Sequence, residues 1–349
     1  MRPRIGIRGV MLASALALGC SLNSSGIGNS NGNSEGTSTM DPAGSTSPTT
    51  TGTPPTSAGT GDGTMGSGIT DAVDSTTTSP TGPTSGSESG SSSDETTAGV
   101  CERLSTACLV GTGLLVRYFL DEAESGDGPN EVLDSAPDPL DLPIDWNSNM
   151  RYVTENGNTG LEWQAASSNG SAFTSVEGTK LALIDGQTSA TIEAVFEVQD
   201  ADSSGSRVVH FGEASEGGLF TLRLESVSAP RLTWNHEVPM GQWSYNFQDM
   251  RAVVHVVFDS TEAIAQDRRR LYVDGQLVGP PSGEEPNIGA AIDLFLDESD
   301  PDFALGNRAN GFRSMAGILF YAALYTEALT PDEIQTNAQI LAIDDDRPQ

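Results

Sequence analysis

The sequence predicts an all-β fold: a two-sheet antiparallel sandwich closed by one short C-terminal helix and preceded by a disordered linker. Three observations carry this expectation. Apolar and polar residues alternate with period two through much of residues 101–349. Clusters of Gly and Asp punctuate the alternating runs, as turns between short strands require. Helical patterning is confined to the last stretch of the chain, which leaves strands to build the core.

Residues 114–120 (LLVRYFL) fit an opening strand. In residues 191–198 (TIEAVFEV), Ile192, Ala194, Phe196 and Val198 share one face and Thr191, Glu193 and Glu197 share the other. This reads as a half-buried strand with one wet face. Residues 200–205 (DADSSG) read as a hairpin tip leading into a strand over 206–211. Phe220, Leu222 and Leu224 alternate with Thr221, Arg223 and Glu225 in another strand with one wet face. Residues 251–259 (RAVVHVVFD) are more uniformly apolar and predict a central strand. Residues 271–278 predict a tight hairpin, because Asp274-Gly275 can supply both positive φ values of a type I′ turn. Thr330-Pro331-Asp332-Glu333 is a capping box with Pro at the first helical position, and Ile334, Ala338 and Leu341 follow at helical spacing.

The N-terminal third has a different composition. Residues 1–19 carry Arg2, Arg4 and Arg8, then an apolar run too short to span a bilayer as a mature helix. The run ends in Ala17-Leu18-Gly19-Cys20. Small residues before a lone Cys resemble the bacterial lipobox, which implies acylation of Cys20 and a lipid anchor, the expected means of membrane attachment. Ala17 stands where the usual motif has Leu, and Ser21 leans towards an outer-membrane destination. Ser, Thr, Gly and Pro fill 57 of the 80 positions 21–100, with no Lys, Arg or aromatic residue. Such a chain cannot bury enough apolar area to offset its conformational entropy. Residues 20–100 are therefore expected to be a linker with a reach of about 50 Å, displaying a folded domain over 101–349.

The net charge is −31 from 48 acidic and 17 basic residues, which excludes nucleic acid as a partner. Residues 101–349 hold 40 of the acidic and 14 of the basic residues, a net of 14 − 40 = −26. Besides Cys20 only Cys101 and Cys108 exist, and behind a signal sequence the expected arrangement is a disulfide between them.

Three blocks resemble the laminin-G-like domains of the concanavalin A-like lectin/glucanase superfamily. The first runs from Leu115 to Glu122, followed by Val132-Leu133-Asp134-Ser135. The second runs from Val254 to Asp259, then Arg270-Leu271-Tyr272-Val273-Asp274-Gly275. The third is Leu305-Gly306-Asn307-Arg308, then Met315-Ala316-Gly317-Ile318 and the stretch from Leu324 to Ile334. The resemblance spans nearly all of residues 110–342 and implies a jelly-roll sandwich. In many such relatives an Asp on the last strand holds calcium against the Asp that ends the first strand. Asp121 is present, but Phe320 occupies the partner position.

Calcium is a possible cofactor, with Asp121, Asp200 and Asp202 as candidate ligands; the alternation of Asp200 and Asp202 before Gly205 is like a calcium loop, but Phe211 stands where a bidentate Glu would be needed. No pair of carboxylates matches the E-x-D-x-x-E strand of retaining glucanases on this fold, although Glu193 and Glu197 share a face. A non-catalytic role is expected, and His210, His236 and His255 read as packed residues. Sugar binding needs aromatic faces beside polar side chains. The candidates are Trp234, Asn235, Trp243, Tyr245, Asn307 and Arg308; Trp234 is equally placed for the core, as is Trp163, whereas Trp146 and Trp243 read as loop residues. The expected role is a lectin-like domain for extracellular or cell-wall glycan on an outer-membrane surface lipoprotein. A protein–protein adhesion or structural role, with a surface protein as partner, and a divergent glycoside hydrolase are the alternatives.

Overall fold

The computed structural model describes residues 104–168, 170–213, 217–296 and 300–348. The predicted leader, linker and Cys20 lie outside these residues, and so does Cys101, one half of the expected disulfide. No described helix is long and apolar enough to cross a membrane.

Two antiparallel sheets of eight strands each face one another. The first contains β1 (Leu114–Phe119), β4 (Met150–Glu155), β5 (Asn158–Trp163), β7 (Ser189–Ala201), β12 (Arg251–Asp259), β13 (Arg269–Val273), β14 (Gln276–Leu277) and β16 (Met315–Tyr325). Its order is β14-β13-β12-β7-β16-β5-β4, with β1 on the far half of β16. The second contains β2 (Glu131–Val132), β3 (Leu142–Asp145), β6 (Ser171–Ser175), β8 (Ser206–Gly212), β9 (Phe220–Leu224), β10 (Pro230–Trp234), β11 (Glu237–Gln242) and β15 (Asp302–Leu305). Its order is β11-β10-β9-β8-β15-β6-β3-β2. Helix α1 spans Pro331–Leu341.

The apolar faces of the strands meet between the sheets, as period-two alternation requires. Trp234 of the second sheet packs on Phe258 of the first, with ring centroids 5.3 Å apart. Within the second sheet Phe211 meets Phe303 at 4.8 Å. Trp163 is fully buried. Its ring lies where a Cβ on Gly306 would fall, 2.0 Å from Cη2, and Gly306 has φ of +67°, so this position requires glycine.

The expected hairpin forms. Asp274 and Gly275 adopt φ of 50° and 76°, and Val273 pairs with Gln276. Residues 251–259 are a central strand between β7 and β13, as expected. Two expectations fail. Residues 202–205 are not a hairpin tip, because β7 and β8 belong to opposite sheets and the segment crosses between them. The faces predicted to be wet on β7 and β9 are largely buried. On β7 the reason is α1: Ile334, Ala338 and Leu341 press on a second apolar cluster formed by Val195, Val253, Val257, Phe320 and Tyr325. Each such aliphatic side chain removed from water contributes roughly 1.5–3 kcal/mol.

Burial of this second face encloses charge. Glu193 lies on β7 between His255 of β12 and Ala323 of β16. It is fully buried and accepts hydrogen bonds from His255 Nε2 (2.7 Å), Tyr321 and Tyr325 hydroxyls (2.8 Å each) and Asn337 Nδ2 (2.9 Å). Arg117 completes the group, donating to the Tyr321 hydroxyl at 3.0 Å and to the Val110 carbonyl at 2.7 Å. Burial alone would raise the Glu193 pKa; His255, Arg117 and the Tyr321 hydroxyl outweigh it and hold the carboxyl below the usual range.

Candidate functional site

The site begins where β15 ends. Gly306 turns the chain over Trp163, and Asn307 then fixes the loop that follows. Asn307 is fully buried. Its Nδ2 donates to the carbonyls of Ser168 (2.8 Å) and Gly170 (2.9 Å), and its Oδ1 accepts from the backbone N–H groups of Arg308 (2.8 Å) and Arg313 (2.6 Å). Every polar atom of this amide is therefore engaged within the protein. The effect is to pin both ends of residues 308–313, with Phe312 left 57% exposed between them.

Beside this loop lies the outer face of the second sheet. Antiparallel pairing places Arg207, Arg223 and Arg231 in one row across β8, β9 and β10. Glu225 Oε1 accepts from Arg223 and, at 3.1 Å, lies against Arg231 Nη1. Arg313 Nη1 donates to Asp202 Oδ1 at 2.8 Å. Arg207 is nearly inaccessible, and its pKa is pushed down to about 9 by burial and then by the neighbouring charges of Arg308, Arg223 and Arg313. Burial, with Arg207 and Arg308 adding to it, also pushes His210 well below its ordinary pKa, so its imidazole is neutral. The side chains of Arg231 and Arg313 remain 21% and 28% exposed. Such a rim offers planar, forked donors that fit carboxylate or sulfate oxygens, with an aromatic ring alongside.

The six expected sugar contacts are not brought together. Trp234 is 6% exposed and belongs to the core between the sheets. Asn235 clamps a loop, donating to the Ala291 carbonyl at 3.1 Å and accepting from Asp293 N–H at 2.9 Å. Trp243 lies in the loop after β11, as expected, but its side chain is 3% exposed and packs on the core. It underlies a cavity of about 250 Å3 with Asp267, Arg269, Arg270 and Pro281. Tyr245 leans on Phe247 at 4.8 Å. Asn307 is the loop anchor, and Arg308 alone of the six joins the arginine rim. Sequence reasoning missed Phe312, Arg207, Arg223, Arg231 and Arg313. Their signal was faint: four of the 13 arginines in residues 101–349 and one phenylalanine, on three strands and one loop.

The candidate calcium ligands are likewise apart and occupied. Asp121 accepts from Arg347 N–H at 2.7 Å, Asp200 from the Ala201 N–H at 2.8 Å, and Asp202 from the Ser204 N–H at 2.7 Å besides Arg313. Phe320 lies under the Arg251 guanidinium, 5.4 Å from the ring centroid. Among the described residues no group of three His, Cys, Asp or Glu is placed to hold a metal. Glu193, the carboxylate nearest to a glucanase arrangement, is sealed beneath α1 and out of reach of a substrate.

A laminin-G-like family model, described as the concanavalin A-like lectin/glucanases superfamily, matches residues 168–335. Similar solved structures include the Trypanosoma rangeli sialidase in complex with 2,3-difluorosialic acid, at 15% identity and a TM-score of 0.45, covering 66% of this chain and 33% of that one. The same sialidase with the inhibitor DANA gives 15% identity and 0.45 over 69% and 35%. The botulinum neurotoxin serotype G binding domain gives 9% identity and 0.42 over 66% and 51%. This chain thus spans about a third of the sialidase chains and half of the toxin chain. No curated protein matches the sequence.

Proposed function

From the premise that residues 168–335 form a concanavalin A-like lectin/glucanase domain, we propose that the protein is a non-catalytic, lectin-like binding module for extracellular or cell-wall glycan. The rim of Phe312, Arg308, Arg313 and Arg231 is its contact surface. One observation carries the reading: an aromatic ring 57% exposed on a loop that Asn307 pins at both ends, at Arg308 and Arg313. A pre-shaped loop with an exposed ring suits ligand contact, because little ordering is needed on binding. The test is a glycan array followed by calorimetry on the full chain. Binding to a polysaccharide, weakened at least tenfold by Phe312→Ala without a change in melting temperature, is expected. No binding to any polysaccharide would overturn the reading.

The module is held at the outer membrane through lipid on Cys20, facing the cell surface across the linker of residues 20–100. Several acyl chains at ~0.8 kcal/mol per buried CH₂ suffice for stable attachment. Cys20→Ser should move the protein from the membrane fraction to the soluble one. Unchanged retention in the membrane would sink the anchor.

A further inference from the structure

We propose that the glycan bound at this rim is acidic, and that its carboxylate or sulfate is taken by the part-exposed Arg231 and Arg313, with Arg223 and Arg308 buried behind them. This rests on the glycan-binding reading above and names the ligand class for the same site. Residues 101–349 carry a net of −26, yet five of their 13 arginines converge on one face of one sheet. Solubility would be served by spreading them apart, because adjacent like charges raise the energy of the folded state.

Glu225 serves both Arg223 and Arg231, and Asp202 serves Arg313. An oxyanion seated against the part-exposed Arg231 and Arg313 side chains would relieve like-charge repulsion. Arg207, driven down to about 9 by burial and by its charged neighbours, reports the same crowding from the back of the row.

Arg231 and Arg313 are part-exposed, and Phe312 stands between Arg313 and the turn that Gly311 closes on the Arg308 carbonyl at 2.9 Å. A sugar ring laid on Phe312 would bring its acidic substituent to the arginine row. Elsewhere the domain is acidic and would repel a long polyanion. Even with that repulsion screened beyond about 8 Å at physiological salt, a short acidic oligosaccharide or chain end lies against less acidic surface than a charged polymer.

The test uses the full-chain protein with trigalacturonate, the matching neutral trigalactose, and inorganic sulfate, read by calorimetry and melting temperature. Trigalacturonate is expected to bind and raise the melting temperature, with trigalactose and sulfate each at least tenfold weaker. Arg231→Gln should weaken trigalacturonate at least tenfold while leaving the free protein's melting temperature in place, and Arg231→Lys should restore part of the loss. Equal binding of trigalactose and trigalacturonate, unaffected by Arg231→Gln, would overturn the acidic assignment and leave the glycan reading standing. Sulfate as tight as trigalacturonate would mark a free-oxyanion site and overturn the acidic-glycan assignment. Silence from all three probes, together with an empty glycan array, would remove both.

Discussion

Glu193 takes hydrogen bonds from His255, Tyr321, Tyr325 and Asn337, so two strands and the helix converge on one carboxylate. All four partners donate. In Glu193→Gln the amide NH₂ would meet donors, leaving buried groups unpaired. A loss of about 3–5 kcal/mol is expected, as for breaking a buried pair, measured by urea unfolding at pH 7. The pH dependence follows from the lowered pKa. A carboxyl held below its unfolded value adds stability above that value, and the contribution is lost as pH falls through the folded pKa. The gap between wild type and Glu193→Gln should therefore narrow in acid, below the ordinary Glu range. A gap constant between pH 7 and pH 3 would contradict this account. Period two correctly placed Glu193 opposite Phe196 and Val198, but it could not say what lay over that face.

The cover is the C-terminal helix, and its start is encoded locally. Thr330 Oγ1 accepts from Glu333 N–H at 3.3 Å, and Glu333 Oε2 accepts from Thr330 N–H at 2.8 Å. Thr330→Ala should cost about 1 kcal/mol of stability, seen as a lower urea midpoint with unchanged slope. No change would show that packing alone holds the helix. Elements written in contiguous residues were legible: the capping box, the Asp274-Gly275 turn and the apolar strand over residues 251–259. Features that depend on which sheet a strand joins were not. The run Asp200 to Gly205 has hairpin composition, yet it links opposite sheets, because a turn sequence specifies local φ and ψ but not the partner strand. The arginine rim was hidden for the same reason. Arg207, Arg223, Arg231 and Arg313 are far apart in sequence and meet only through strand pairing and the anchored loop.

At the scale of the molecule, a net of −26 over residues 101–349 makes self-repulsion a general cost of the folded domain. Raising salt from about 0.01 to 0.15 M shortens the screening length from roughly 30 to 8 Å, so the melting temperature should rise. A melting temperature unchanged between low and high salt would show that the acidic surface does not strain the fold. The way the chain enters the sandwich has a mechanical consequence. Val110 is held at both ends of its peptide unit, its N–H on Asn337 Oδ1 at 2.9 Å and its carbonyl by Arg117. Just beyond it, β1 pairs antiparallel with β16 from Leu114↔Tyr325 to Phe119↔Tyr321. Tension applied along the axis of β1 would load these rungs together in shear, whereas a pull away from the sheet would open them one at a time from Leu114.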